Sequence, residues 1–165
     1  MSRVHLILGP VGSGKSTLAR SLAAEHGAVR FALDEWFPVL FSMDRPQSDV
    51  VPWYVARAER CVEQIWRVSC SVLDVGRDVV LELGLVRRDQ RAAFLARPEL
   101  AAHDLTAWLV DAPRDVRRAR VLQRNEARGE TFSMVVPLET FELASDLWQP
   151  LDDAERAGLD VRDVG

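Results

Sequence analysis

One lysine occurs in this chain of 165 residues, at Lys15, and every other strongly basic residue is arginine. It lies in the segment Gly9-Pro10-Val11-Gly12-Ser13-Gly14-Lys15-Ser16-Thr17. The spacing fits G-x-x-x-x-G-K-[ST], in which backbone N–H groups curl around a phosphate and the lysine reaches the β- and γ-phosphates. A compact ammonium on a flexible stem suits this position better than a planar guanidinium. A composition biased toward arginine is an alternative explanation, since it would leave lysine only at positions where arginine cannot replace it. The segment predicts a site for ATP at Gly9, Gly12, Ser13, Gly14, Lys15, Ser16 and Thr17, with Ser16 as a ligand of Mg²⁺.

The residues on both sides of this motif supply the elements that it needs. Residues 4–8 form a short apolar run, which is typical of a buried strand. From Ser16 to His26, apolar residues recur at helical spacing, and Gly27 follows as a stop signal. A strand before the loop and a helix after it are the context that a P-loop requires.

A carboxylate follows the second predicted strand. Residues 29–33 read as that strand, and they deliver Asp34 at its carboxyl end, where ligands gather in open α/β sheets. Asp34 could accept the proton of an acceptor hydroxyl near the γ-phosphate. Alternatively, Asp34 caps the following turn. The neighbouring Glu35 alternates to the other side of the chain and is the weaker candidate.

A second carboxylate, Glu82, lies in the apolar run 79–83, which has the pattern of a buried parallel strand. An unpaired charge is costly to bury there, so a role in the site is favoured. Glu82 could position Mg²⁺, contact the substrate or pair with a neighbouring arginine.

Arginines at positions 117, 120, 124 and 128 step by three and four residues, so a helix would put them on one face. Like charges in a row repel one another, and an anion beside them would stabilise the row. Arg120, Arg124 and Arg128 are therefore candidates to contact the transferred phosphate, while an ordinary solvated face explains Arg117. Arg87 and Arg88 follow the third strand and could bind the acceptor, although adjacent side chains point apart.

The order of predicted elements gives the fold class. After the second strand, residues 37–52 carry three prolines and are expected to be an irregular surface segment. A long helix over 53–75, the strand 79–83, a helix over 89–96, a strand over 105–110, a helix to about 128, a helix over 138–147 and a weak strand near 159–161 follow. This alternation predicts an α/β three-layer fold, with about five parallel strands, helices on both faces and the P-loop strand in the middle.

Length and composition set limits on the function. The length suits a single domain over residues 1–165. The net charge of −4 argues against general affinity for nucleic acid. Neither a secretory signal nor a membrane span is visible in the sequence, so we expect a cytoplasmic protein that does not bind membranes and is a monomer or homodimer. Cys61 and Cys70 lack metal-ligand spacing and are expected to be reduced. His5, His26 and His103 are scattered and are weak catalytic candidates.

Together these residues resemble a group of small P-loop kinases that includes zeta toxin, chloramphenicol phosphotransferase, gluconate kinase and the kinase domain of polynucleotide kinase. The chain resembles in particular bacterial "AAA family ATPase" proteins of the kinase type. The resemblance rests on the segments 9–17, 33–36, 44–46, 79–84, 109–113 and 120–125. The loop 124–132 and residues 141–150 are similar to the lid and following helix of gluconate kinases, but Gly129-Glu130-Thr131-Phe132 stands where those kinases have Gly-His-Phe.

This resemblance implies a phosphotransferase that uses ATP and Mg²⁺, with Asp34 as the general base and Arg120 and Arg124 in a lid over the phosphate. It leaves the small-molecule acceptor unidentified, and the altered lid sequence argues against gluconate. Two alternatives remain open. The chain could be a zeta-like toxin kinase with a protein antitoxin, or a regulatory ATPase without an acceptor. A GTPase is disfavoured because its guanine-binding Asn-Lys-x-Asp motif needs a second lysine.

Overall fold

A computed structural model describes residues 2–129 and 135–165 of the chain. Five parallel strands form one sheet in the order β2-β3-β1-β4-β5. The strands are β1 (Arg3–Leu8), β2 (Val29–Ala32), β3 (Val79–Glu82), β4 (Asp104–Val110) and β5 (Asp160–Val164). The predicted α/β class is therefore confirmed, and the strand before the P-loop lies in the middle of the sheet.

Seven α-helices are found in the described residues: α1 (Lys15–His26), α2 (Leu33–Phe41), α3 (Val50–Asp74), α4 (Arg88–Leu95), α5 (Arg114–Ala127), α6 (Leu138–Leu147) and α7 (Asp153–Ala157). Two short 3-10 helices cover Ser42–Asp44 and Pro98–Ala102. Most boundaries lie within one to three residues of those expected from the sequence. The short helix α7 and the 3-10 helices were not anticipated.

The two faces of the sheet bury different side chains of β1. Leu6 belongs to the larger core, which includes Ile65 and Trp66 of α3 and Phe94 of α4. Ile7, one residue further, packs with Ala19 and Leu22 of α1 in a second cluster. Because alternate strand residues point to opposite faces, this run is apolar on both sides. Helices therefore cover both faces of the sheet and complete the three-layer arrangement. The packing of α1 on β1 holds this helix immediately after the loop that connects the two elements.

The segment from residue 37 to residue 52 differs from its expected irregular structure. It contains the second half of α2, a 3-10 turn and the start of α3. Pro38 lies inside α2, where it removes one backbone hydrogen bond. The ring of Phe37 packs on Phe41 and Trp53, with centroids 5.3 and 5.7 Å away. This aromatic packing stabilises a helix that the local sequence does not favour, and it places Asp34 in the first helical turn rather than at a strand tip.

Two further features concern the long helix α3. Cys61 is buried and Cys70 is partly buried, and neither forms a disulfide. Within residues 2–129 and 135–165, no helix combines the length and the apolar character that a bilayer span requires.

Candidate active site

The P-loop occupies residues 9–17, between the end of β1 and the first turn of α1. Three of its glycines have a positive φ: +147° at Gly9, +77° at Gly12 and +106° at Gly14. A Cβ at Gly9 would lie 2.0 Å from the carbonyl oxygen of Val110, so only glycine fits there. A Cβ at Gly12 would lie 2.7 Å from the carbonyl oxygen of Arg117. The glycines thus let the loop pack directly against β4 and α5.

Cationic side chains bind three carbonyl oxygens of this loop. Lys15 Nζ donates to Pro10 O at 2.7 Å, Arg117 to Val11 O at 3.0 Å and Arg120 to Ser13 O at 3.1 Å. Burial lowers the pKa of Lys15, and the nearby carboxylates of Asp34 and Glu82 oppose that effect. The ammonium therefore lies within the electric field of both predicted carboxylates.

Glu82 ends β3 beside the start of α1, and its side chain is only 8% exposed. Its Oε2 accepts a hydrogen bond from Ser16 Oγ at 2.8 Å. Its Oε1 accepts from Arg30 Nε at 2.7 Å, and Arg30 also pairs with Glu35 at 2.9 Å. The structure thus brings Ser16 and Glu82 together. It also shows that Glu82 pairs with a neighbouring arginine, which was one of the three roles that the sequence allowed.

Arg30 was not identified from the sequence. It lies on β2, where the register aligns Arg30 with Val80 and Ala32 with Glu82. Residues two apart on a strand share a face, so Arg30 and Glu82 lie on the same side of the sheet. A charged residue inside each of two apolar strands was the available signal, but the strand pairing was needed to interpret it.

Asp34 lies in the first turn of α2 with an exposed side chain. The N-cap position of this helix is Ala32, so Asp34 is not the N-cap residue. Its negative charge in the first turn still favours the positive end of the helix dipole. The charge of Asp34 acts on Lys15, and partial burial together with that same charge raises the pKa of Tyr54.

The predicted arginine row is divided by the structure. Arg120 contacts the P-loop, and Arg124 is close enough to Lys15 for its charge to lower the pKa of that ammonium. The Nε of Arg124 is buried without a hydrogen-bond partner among the described residues. Arg128 lies beyond the end of α5 in a left-handed conformation, so it does not continue the helical face. Part of the predicted lid loop, residues 130–134, lies outside the described residues.

The interpretation of Arg117 as part of a solvated face is wrong. Its side chain is 6% exposed, and it donates to Ala112 O, Val11 O and Ser145 Oγ. The guanidinium also lies 5.6 Å from the ring centroid of Phe141. Helical spacing correctly placed Arg117 with Arg120 and Arg124, but that face turns toward the P-loop rather than toward solvent.

Arg87 and Arg88 lie at the start of α4, and each pairs with nearby carboxylates. Arg87 contacts Asp89 at 2.9 Å, and Arg88 contacts Asp152 at 3.2 Å. Both side chains are about half exposed. Acceptor binding by these arginines stays a prediction, and it would require them to exchange partners.

A histidine cluster lies at the opposite end of β1. Ligand atoms of His5, His26 and Asp78 lie within 4.8 Å of one another. Trp108 donates its indole N–H to Nδ1 of His5 at 3.2 Å, so Nε2 carries the ring hydrogen in the neutral form. A metal ion at Nε2 would have to displace that hydrogen and break the bond to Trp108. The carboxylate of Asp78 favours positive charge at this place and Arg3 disfavours it, so the hydrogen bond from Trp108 is the main obstacle to a cation.

The donor set around the P-loop fits a triphosphate and Mg²⁺. Ser13 Oγ is buried in the loop without a hydrogen-bond partner among the described residues. The hydroxyl of Ser16 and the carboxylate of Glu82 supply the oxygen ligands that Mg²⁺ prefers. Lys15, Arg120 and Arg124 supply the positive charge that phosphate groups need.

Solved structures of similar fold include a sugar kinase from Janibacter sp. HTCC2649, at 19% identity and a TM-score of 0.63 over 99% of this chain and 86% of that one. A gluconokinase from Sinorhizobium meliloti 1021 matches at 17% identity and a TM-score of 0.55, over 98% and 82%. Chaetomium thermophilum Kti12 in complex with ADP-AlF3 matches at 14% identity and a TM-score of 0.72, over 98% and 88%. Similarity at this level of identity shows the shared fold.

The sequence matches no curated protein. It does match the profile of a family described as "AAA domain", over residues 4–151. That range extends from the first strand through the P-loop, both carboxylates and the arginines of α5. The chain therefore belongs to this AAA domain family.

Proposed function

We propose that the protein is an ATP-dependent phosphotransferase that moves the γ-phosphate to a hydroxyl group of a small molecule. Candidate acceptors are sugars, antibiotics, nucleosides and nucleotide sugars. The observation that carries this proposal is the carboxylate of Asp34. It lies exposed in the first turn of α2, two residues after the carboxyl end of β2, its charge acts on Lys15, and it is not the N-cap residue of α2.

The two carboxylates then have separate roles. Glu82 is held by Ser16 and Arg30, which suits a residue that positions the metal ion. Bound Mg²⁺ would neutralise charge on the β- and γ-phosphates. Asp34 remains available to take a proton. In a regulatory ATPase the nucleophile is water, which also loses a proton, so transfer to an added hydroxyl compound is what distinguishes the two activities.

In the proposed reaction, the acceptor oxygen gives its proton to Asp34 and attacks the γ-phosphorus. The bond between that phosphorus and the β–γ bridging oxygen breaks, and ADP leaves with the electron pair. Lys15, Arg120 and Arg124 stabilise the charge on the transferring group, because they present fixed positive charge where negative charge develops.

The test is a screen of pooled sugars, nucleosides, nucleotide sugars and antibiotics with γ-labelled ATP. We expect label to move to one class of hydroxyl compound with the wild-type protein and not with Lys15→Ala. The control is Asp74→Asn, which replaces an exposed carboxylate at the last residue of α3. This variant should transfer label normally. Equal transfer by Lys15→Ala would contradict the P-loop mechanism.

A zeta-like toxin activity has its own readout, which is slow growth on expression that Lys15→Ala relieves. A nucleotide-sugar acceptor in the screen would agree with this more specific activity. Hydrolysis of ATP that no acceptor accelerates would instead favour the regulatory ATPase.

A further inference from the structure

Arg117 is a buried cation whose partners are neutral. Among the described residues, its guanidinium donates to two backbone carbonyl oxygens, those of Ala112 and Val11, and to the hydroxyl of Ser145. Burial lowers its pKa, and the charges of Asp111 and Glu142 act in the opposite direction, although neither carboxylate forms an ion pair with Arg117 among the described residues. Burying a guanidinium in such surroundings is costly unless negative charge compensates for it. A bound anion nearby would provide that compensation.

The contacts of Arg117 orient one peptide group of the P-loop. A trans peptide is planar, so the C=O of Val11 and the N–H of Gly12 point in opposite directions. Because the guanidinium binds Val11 O at 3.0 Å, the N–H of Gly12 is turned away from Arg117. The backbone of α5 adds a second constraint, since a Cβ at Gly12 would lie 2.7 Å from Arg117 O.

The charge of Arg117 also reaches the phosphate end of the site. It is one of the groups that lower the pKa of the Lys15 ammonium, together with Arg124. On its other side, Arg117 contacts Ser145 and faces the ring of Phe141, both on α6. Arg117 therefore joins the P-loop, α5 and α6 at one point.

We propose that Arg117 is a positioning residue for the nucleotide, which fixes the Val11–Gly12 peptide so that its N–H meets a phosphate oxygen and which supplies positive charge behind the loop. This inference rests on the proposed binding of ATP. It predicts that loss of Arg117 weakens binding of phosphate-bearing nucleotides, whereas a purely structural role would lower only the stability.

The test measures dissociation constants of folded variants for Mg²⁺-ATP by calorimetry and for adenosine by competition. Arg117→Met should weaken ATP binding about tenfold or more, because a charge and an oriented donor are both lost. Adenosine, which has no phosphate, should bind as it does to the wild-type protein. The control is Arg118→Met, the adjacent arginine on α5, whose side chain is 43% exposed and pairs with Glu142. This control should bind ATP normally.

A folded Arg117→Met protein that binds ATP with wild-type affinity would overturn the inference. If that variant does not fold, Arg117→Lys decides the same question, since lysine keeps the charge but cannot bind several acceptors with a planar fork. Weaker ATP binding by Arg117→Lys supports the positioning role, and unchanged binding refutes it. Wild-type protein that binds no ATP would instead refute the proposed function, so the two failures are distinguishable.

Discussion

Removal of Arg30 tests whether the buried ion pair with Glu82 holds the metal side of the site together. The side chains of Arg30 and Glu82 are 14% and 8% exposed, and their closest atoms lie 2.7 Å apart. Arg30→Met would leave the buried carboxylate with Ser16 as its remaining hydrogen-bond donor. Removing one partner of a buried pair costs about 3–5 kcal/mol, because the other charge stays buried.

This cost translates into a measurable shift in the unfolding temperature. The entropy of unfolding is about 2.1 cal/mol/K per residue, which gives about 0.35 kcal/mol/K for a chain of 165 residues. We therefore expect Arg30→Met to lower the midpoint by about 9 to 14 °C in a calorimetric scan. The double variant Arg30→Met/Glu82→Gln should recover much of that loss, since the amide can still accept from Ser16 without an unpaired charge.

The matched control is Arg3→Met, which removes an exposed pair with Asp104 at 3.4 Å. Surface pairs contribute about 0–1 kcal/mol, so its midpoint should fall by less than about 3 °C. If Arg30→Met were no less stable than this control, the Arg30–Glu82 pair would not be the element that holds the carboxylate. A double variant less stable than Arg30→Met would likewise show that the unpaired charge of Glu82 is not the source of the loss.

Three further predictions follow from individual contacts. Gly12→Ala should abolish ATP binding in a calorimetric assay, because its Cβ would clash with α5 and its φ is +77°. The control Gly27→Ala, at a φ of +60° with no atom within 4 Å of its Cβ, should bind ATP normally. Burial lowers the pKa of His5 from 6.5, so as the pH falls the unfolded chain binds a proton at this residue before the folded chain does. The free energy of unfolding should therefore decrease as the pH drops below about 6.5. Scans at stepwise pH should show a shallower fall for His5→Gln, and an identical slope would contradict the assignment. Tyr54 is the only tyrosine, so absorbance at 295 nm should report its ionisation near pH 12 in protein that circular dichroism shows to be folded. Asp34→Asn should lower that midpoint, and an unchanged midpoint would show that the charge of Asp34 does not act on Tyr54.

The parts of the site that local sequence predicts are those formed by neighbouring residues. The P-loop needs glycines, a lysine and a flanking strand and helix, all within residues 3–26, and the structure contains that arrangement. Glu82 was recognisable because a carboxylate in an apolar strand is costly unless it is paired. β1, β3 and β4 were predicted because each contains a short apolar run, whereas β5 alternates apolar and charged residues and gave only a weak signal.

The parts that local sequence could not predict depend on packing between distant segments. α2 forms despite Pro38 because Phe37 packs against Trp53 of α3. Arg30 is recognisable as a site residue only from the pairing of β2 with β3. Arg117 is recognisable only from the packing of α5 against Gly12 and α6. Helical spacing identified the face that carries Arg117, but it could not tell whether that face meets water or the P-loop.

In the proposed reaction, Asp34 removes the proton of an acceptor hydroxyl at a working ATP site. The most direct measurement compares the wild-type protein with Asp34→Asn, for both Mg²⁺-ATP affinity and the rate of transfer to an acceptor found in the screen. We predict that Asp34→Asn binds ATP with nearly wild-type affinity and that transfer is lost, with a rate about 10²-fold or more lower. Normal ATP binding together with transfer at the wild-type rate would contradict the account.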